Sequence, residues 1–253
     1  MTMTTIESTL DSGVLTLAIN RPPVNALDHQ TIFSLLKSMR DGSENESIRC
    51  IVLTGSNDVF CAGHDINEML VGQKQKESYR KHLLQTYNPL ILQIRKTPKP
   101  VIASINGPAA GAGLGIALAC DLRIASDNAH FTVGFAGVGL VPDSGVSLFL
   151  PILIGLGRAT ELSFSNATIP ASQALEWGLI NRVSTPERLT VETNAFAAGL
   201  ANGPVGTYGL TKKAFNQSVL HNLENALDQE ANLQELASMS DEHKQGVKAF
   251  LKK

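Results

Sequence analysis

Hydrophobic and polar positions change period several times along the chain. Residues 13–20, GVLTLAIN, alternate Val14, Thr16 and Ala18 with Leu15, Leu17 and Ile19, the two-residue period of a strand. RPPVNAL follows as a loop. Beyond it Ile32, Leu35, Leu36 and Met39 recur at helical spacing, and Asp28 stands where a helix N-cap belongs. IRCIVLTG, residues 48–55, is mostly apolar and predicts a second, fully buried strand. SNDVFCAGHD reads as a loop opening a short helix. A longer helix is predicted from about Glu77 to Lys96, with a kink at Pro89. KPVIASING is the next strand, AAGAGLGIALACD a helix of small residues, and LRIAS and AHFTV two further strands.

Strands alternate with helices in this way until about Val183, which indicates an α/β core. The rest of the chain reads as helices over 186–201, 205–218, 222–239 and 241–251. The sequence therefore divides into a core over residues 1–190 and a C-terminal helical region over 191–253, with no low-complexity linker between them.

A length of 253 residues fits one large domain or a domain with an appendage. Hydrophobic content of 43% supplies a core, but aromatics are only 5%, so packing rests on Leu, Ile, Val and Ala. With 21 basic against 23 acidic side chains, nothing in the charge calls for nucleic acid or an anionic membrane as partner. The start, MTMTTIESTLDSG, is polar and acidic, unlike a signal peptide, and no run of about 18 apolar residues offers a membrane span. Cys50, Cys61 and Cys120 are an odd, unclustered set in apolar segments. They read as free buried thiols in a reducing compartment, so a cytoplasmic location is expected. No metal spacing is present; His64, Asp65 and Glu68 read as the start of a helix with acids in its first turn.

Two stretches put glycines between a strand end and a helix start: FCAGHD, and NGPAAGAGLG at 106–115. The spacing is not that of a dinucleotide site, and no P-loop lysine follows. The small residues serve close packing, or they let the free N–H groups of a helix opening meet a ligand oxygen. Two such turns aimed at one point form an oxyanion hole. GLVPDSG, residues 139–145, raises a separate question, since it sets an acid after a proline in an apolar segment. Asp143 is either an N-cap for the helix in SGVSLFL, with Ser144 as rival cap, or a functional carboxylate whose proton affinity is raised by Leu140, Val141 and Phe149. Ser144 is not a nucleophile elbow, because Pro142 stands where that motif needs glycine.

FCAGHDI, PKPVIASINGPAAGAGLGIALACDLRIAS and GLVPDSG, with RPPVNAL, ALEWGLINRV and the terminal GVKAFLKK, resemble the enoyl-CoA hydratase/isomerase family, the crotonases, over almost the whole chain. The resemblance implies a crotonase-like spiral of repeated ββα units with a helical C-terminal trimerisation region, as a homotrimer or a hexamer. It implies an acyl-CoA thioester as substrate, with CoA as its carrier and no separate cofactor. It puts the oxyanion donors at the backbone N–H groups of His64 and Ala112. Val24, Asn25 and Ala26 are expected near the adenosine, and Ala62, His64, Asp65 and Ile66 along the pantetheine. Gly111, Ala112 and Phe135 complete the substrate-binding set, and Phe250 and Lys253 either reach the nucleotide, on the same or a neighbouring subunit, or form a solvated basic end on an amphipathic helix. Residues 69–92 are expected to set the pocket size.

Family hydratases use two glutamates, which the resemblance aligns with Gly115 and Phe135; both acids are missing here. Asp143 falls where family isomerases carry an acid. GLVPD, AAGAG, the run from Tyr87 to Leu90 and EWG are similar to the phenylacetate-pathway isomerases that rearrange a ring epoxide of phenylacetyl-CoA. The Δ3,Δ2-enoyl-CoA isomerases likewise use one acid in this region. The expectation is an acyl-CoA isomerase with Asp143 as its single acid/base. A hydratase or other crotonase reaction, and a non-catalytic acyl-CoA-binding protein, remain as alternatives.

Overall fold

The structure, a computed structural model, describes residues 5–75 and 77–251. Nine strands are seen there: β1 (Ile6–Asp11), β2 (Val14–Ile19), β3 (Cys50–Gly55), β4 (Val101–Ile105), β5 (Ala109–Ala110), β6 (Leu122–Ser126), β7 (His130–Thr132), β8 (Thr168–Pro170) and β9 (Arg182–Ser184). The helices are α1 (His29–Glu44), α2 (Ile66–Gln75), α3 (Tyr79–Gln85), α4 (Tyr87–Lys96), α5 (Ala112–Ala119), α6 (Val146–Ile154), α7 (Leu156–Ser165), α8 (Ala171–Glu176), α9 (Pro186–Ala201), α10 (Val205–Ser218), α11 (Leu223–Ser238) and α12 (Asp241–Phe250). The α/β order and the helical C-terminal region are those expected from the sequence.

Six strands form the main sheet in the order β1-β2-β3-β4-β6-β9, and β5-β7-β8 form a smaller one. The main sheet is parallel except for β1, which pairs antiparallel with β2. Alternation along the strands sends Leu15, Leu17, Ile51 and Leu53 to the face covered by α1, α4 and α5. Val14, Cys50, Val52 and Ile102 point the other way, where Leu189, Ala197 and Ala201 of α9 cover them.

Two local readings are corrected. The polar start holds strand β1, joined to β2 by a two-residue turn in which Ser12 and Gly13 both have positive φ. A turn of that kind favours Gly, Asn or Asp, and DSG was its signal. The helix expected across 77–96 is two helices, and the break falls at Thr86 (φ −123°, ψ −81°) rather than at Pro89. A proline ring collides with the carbonyl four residues earlier, so Pro89 is accommodated in the first turn of α4 and the chain breaks upstream of it.

Helix α5 is buried at every position, a helix possible only with small residues on its packed faces. A Cβ at Gly113 would lie 2.4 Å from the Cys61 carbonyl oxygen, and one at Gly115 would lie 2.6 Å from Ser144 Cβ. This close approach brings the 61–64 turn and the 143–145 turn against opposite parts of one helix.

Candidate active site

One cavity of about 790 Å³ is lined by Val24, Ala26, Ala62, His64, Asp65, Ile66, Gly111, Ala112, Phe135 and Asp143, residues drawn from segments far apart in sequence. Asn25 does not line it. Its side chain is buried and donates to the carbonyls of Ser56 and Val59, while its Oδ1 accepts from the Arg21 N–H, so it pins the 21–26 loop from behind. Phe250 and Ala249 of α12 reach the cavity from within the same chain. Lys253 lies outside the described residues. Of the segment expected to set the pocket size, Met69, Tyr79, His82, Leu83 and Tyr87 line the cavity.

The two glycine turns meet. Leu27 and His64 form a parallel bridge in which the Leu27 N–H donates to the Gly63 carbonyl and the Asp65 N–H to the Leu27 carbonyl. Parallel pairing of this kind leaves the N–H of His64 itself on the opposite side. A second bridge, Cys61 with Ala109, sets the neighbouring strand ends side by side. Gly63 (φ +91°) and Gly111 (φ +55°) then face each other: a Cβ on Gly63 would lie 2.9 Å from the Ala110 carbonyl oxygen and 3.2 Å from the Ala112 nitrogen. Ala112 is the first residue of α5, so its N–H has no acceptor within the helix. Two unpaired backbone donors beside one cavity are suited to a carbonyl oxygen that gathers negative charge.

Asp143 is 7% exposed. Its Oδ1 accepts from Ser144 Oγ at 2.8 Å and its Oδ2 from Gln234 Nε2 at 2.6 Å. Burial pushes its pKa up to about 6, against the pull of those two hydrogen bonds. It is not the cap of α6. The N–H groups of Gly145 and Ser147 are taken by the two carboxylate oxygens of Glu230, each at 2.9 Å, and neither Asp143 nor Ser144 caps the helix with its side chain. Gln234, one turn further along α11, also accepts from the Val141 N–H at 3.2 Å. Sequence reasoning missed this pair. The signal was an apolar stripe on α11, Leu223, Leu227 and Ala231, with Glu230 and Gln234 sharing its buried face.

The His64 ring lies on the cavity wall, with Nδ1 3.1 Å from the Tyr87 hydroxyl and in a T-shaped contact with the His82 ring, centroids 4.7 Å apart. Burial, helped by the nearby His29, holds its pKa down at about 4, so the ring is neutral. Burial holds His82 lower still, at about 3. Arg21 donates to Asp28 and Asp65, the residues that open α1 and α2, and so fixes the cavity's outer rim. Glu68 accepts from the His29 N–H across that rim. Cys61 and Cys120 are buried, and burial pushes both thiols up to about 12, out of reach of nucleophilic chemistry.

Comparison with known proteins places the chain in a family. Residues 9–253 match the family described as enoyl-CoA hydratase/isomerase. The 1,2-epoxyphenylacetyl-CoA isomerase of Escherichia coli is 37% identical over 250 residues, covering 98% of this chain and 95% of that protein. The trans-2-decenoyl-[acyl-carrier-protein] isomerase of Streptococcus mutans is 32% identical over 96% of this chain and 94% of its own length. Among solved structures, an enoyl-CoA hydratase from Mycobacterium avium subsp. paratuberculosis superposes with a TM-score of 0.89 at 32% identity, covering 98% of this chain and 96% of that one. The chain belongs to the enoyl-CoA hydratase/isomerase family.

Proposed function

We propose that this enzyme is an acyl-CoA isomerase in which Asp143 is the single proton-transfer group and the N–H groups of His64 and Ala112 hold the thioester oxygen. The observation that carries the reading is the state of Asp143: a carboxylate on the cavity wall, raised in proton affinity, and not engaged as a helix cap. The thioester carbonyl enters between the two donors. The Cα–H bond breaks, its proton passes to an Asp143 oxygen, and its electron pair spreads into a dienolate whose charge rests on the held oxygen. Asp143 then returns the proton at Cγ, so the double bond moves from β,γ to α,β and the carboxylate is regenerated. For a ring-bearing acyl group the same enolate step can open a strained C–O bond.

Hydration would need a second acid, and the hydratase positions offer none: residue 115 is glycine with no room for a side chain, and residue 135 is a buried phenylalanine. Val24 and Ala26 would meet the adenosine, and Ala62 to Ile66 the pantetheine. CoA is part of the substrate and no further cofactor enters this reading. A homotrimer or hexamer in the cytoplasm completes it. Its support is the set of large apolar side chains left exposed on the C-terminal helices, Leu210, Phe215 and Leu236 among them.

The test compares isomerisation of a 3-enoyl-CoA with hydration of crotonyl-CoA on one preparation, across several chain lengths and with phenylacetyl-CoA as a probe of α-proton exchange in D2O. Isomerisation far faster than hydration is expected. Hydration equal to or faster than isomerisation sinks the reading in favour of a hydratase. Tight CoA-ester binding without exchange points instead to a binding protein.

A further inference from the structure

We propose that Glu230 and Gln234 are positioning residues for Asp143: the α11 carboxylate takes over the N-terminal cap of α6, and the amide one turn later fixes one oxygen of Asp143, so that the acid stays turned to the cavity. The inference rests on Asp143 being the proton-transfer group.

An acid just before a helix is drawn to the free N–H groups of the first turn. Asp143 stands in that place, with only Ser144 (φ +56°) and Gly145 (φ +79°) between it and α6. Without Glu230, the N–H groups of Gly145 and Ser147 would be buried donors in search of an acceptor, and the nearest carboxylate in the chain is Asp143. Glu230 occupies both donors, and Gln234 bridges Asp143 and the Val141 N–H. Glu230 is 3% exposed and Gln234 1% exposed. Among the described residues neither Asp143 nor Glu230 has a cationic partner within ion-pair distance, an arrangement that costs stability when an apolar pair would pack as well. Retaining two uncompensated acids in one buried cluster fits a task rather than packing. The groups facing Asp143 are Glu230 from α11 and Tyr87 from α4. Helix α5 brings only Gly115 and its apolar neighbours, and His243 of α12 is engaged by the Val138 carbonyl and Tyr79.

The two side chains act on Asp143 with opposite sign. A glutamine amide has one acceptor oxygen for the two N–H groups that Glu230 holds, so E230Q leaves one donor free to turn to Asp143 and makes Asp143 easier to ionise. Gln234 donates a hydrogen bond to the ionised form, so removing that donor makes Asp143 harder to ionise.

The experiment measures α-proton exchange of phenylacetyl-CoA in D2O by mass spectrometry against pH, using the full-length chain and its E230Q, Q234L and D143N variants, with thermal melts alongside. E230Q and Q234L are each expected to lose roughly 10–100-fold in turnover with KM nearly constant. The acidic limb of the E230Q profile should move to lower pH, and that of Q234L to higher pH. A general loss of packing would not displace the limbs in opposite directions. Limbs that stay with the wild type, or move the same way, overturn the proposal. Should E230Q fail to fold, Q234M, which removes the amide donor from an unbranched side chain, must again move the limb to higher pH, and an unmoved limb there overturns the proposal. Exchange that persists in D143N, or is absent from the wild type, removes the Asp143 reading itself and this inference with it.

Discussion

Adding a single methyl group at Gly115 is expected to disable the enzyme without unfolding it. Gly115 sits in α5 against the 143–145 turn. An alanine Cβ there would lie 2.6 Å from Ser144 Cβ, 2.8 Å from the Ser144 carbonyl oxygen and 3.3 Å from Val146 Cγ2. Ordinary contact begins near 3.4 Å, so the 2.6 Å approach must open by about 0.8 Å, the difference of the two. Either the 143–145 turn retreats and carries Asp143 with it, or α5 retreats and carries the Ala112 N–H. A misplacement of about 1 Å at a reacting group costs on the order of 10²-fold in rate. The stability effects oppose each other, with a gain of up to about 1 kcal/mol from replacing glycine in a helix and a cost of about 1–3 kcal/mol from overpacking. Gly115→Ala should therefore melt within a few degrees of the wild type while kcat falls roughly 10²-fold. Adding Ser144→Gly removes the shortest contact at a residue whose φ of +56° suits glycine, and should restore part of the rate. The assay is the 3-enoyl-CoA isomerisation followed by absorbance of the conjugated thioester. Turnover within threefold of wild type in well-folded Gly115→Ala would show that this contact does not locate the base.

Asp143→Asn should abolish turnover while CoA-ester affinity, measured by calorimetry, changes little. In the wild type kcat/KM should rise with pH through about 6, the pKa of Asp143, because the base must be ionised. Both Asp143 and Glu230 bind protons more tightly folded than unfolded, so they favour the fold at low pH and lose that contribution as pH rises from about 4 towards 7. Asp143→Asn should accordingly melt higher than wild type at pH 8 but not at pH 4. Ala112→Pro removes the N–H proposed as an oxyanion donor, at the first position of a helix, where proline is tolerated. It should keep the circular dichroism spectrum and lose on the order of 10²–10³-fold in kcat. Leu210→Asp with Phe215→Asp should shift the species seen by light scattering from trimer or larger towards monomer, if those exposed side chains on α10 are the contact.

Much of the architecture was legible because it is periodic. The bounds of α9 and α10 fell where Pro186, Asn202, Pro204 and the apolar spacing set them, and Asp28 caps α1 through the Thr31 N–H. β1 was overlooked because an edge strand carries little buried surface: five of its six residues are exposed. The cavity-lining residues came from motifs, which name positions but not directions. Nothing in VNAL tells that Val24 and Ala26 face the cavity while Asn25 turns away to hold its own loop. The cap of α6 was illegible for another reason. Local rules offered Asp143 or Ser144, and the carboxylate that took the position lies 85 residues away from Gly145. A helix face that is buried yet carries Glu and Gln was the one trace of it in the sequence.

Helix α11 fastens both walls of the cavity. Besides Glu230 and Gln234, it presents Asp228 and Asn232 to Arg80 and Glu235 to Ser78, and so ties down α3. A ribosome delivers Asp143 ninety-one residues before Gln234, when the glycine turns and every strand but β8 and β9 are already made. Competence thus arrives with the end of the chain. A chain that ends before α11 lacks the partners of Asp143, Gly145, Ser147 and Arg80, which leaves the acid and the wall beside it unsupported. Loss of α11 would also take Leu223, Leu227 and Ala231 out of the hydrophobic interior, so the support of the acid and the closure of the core stand or fall together.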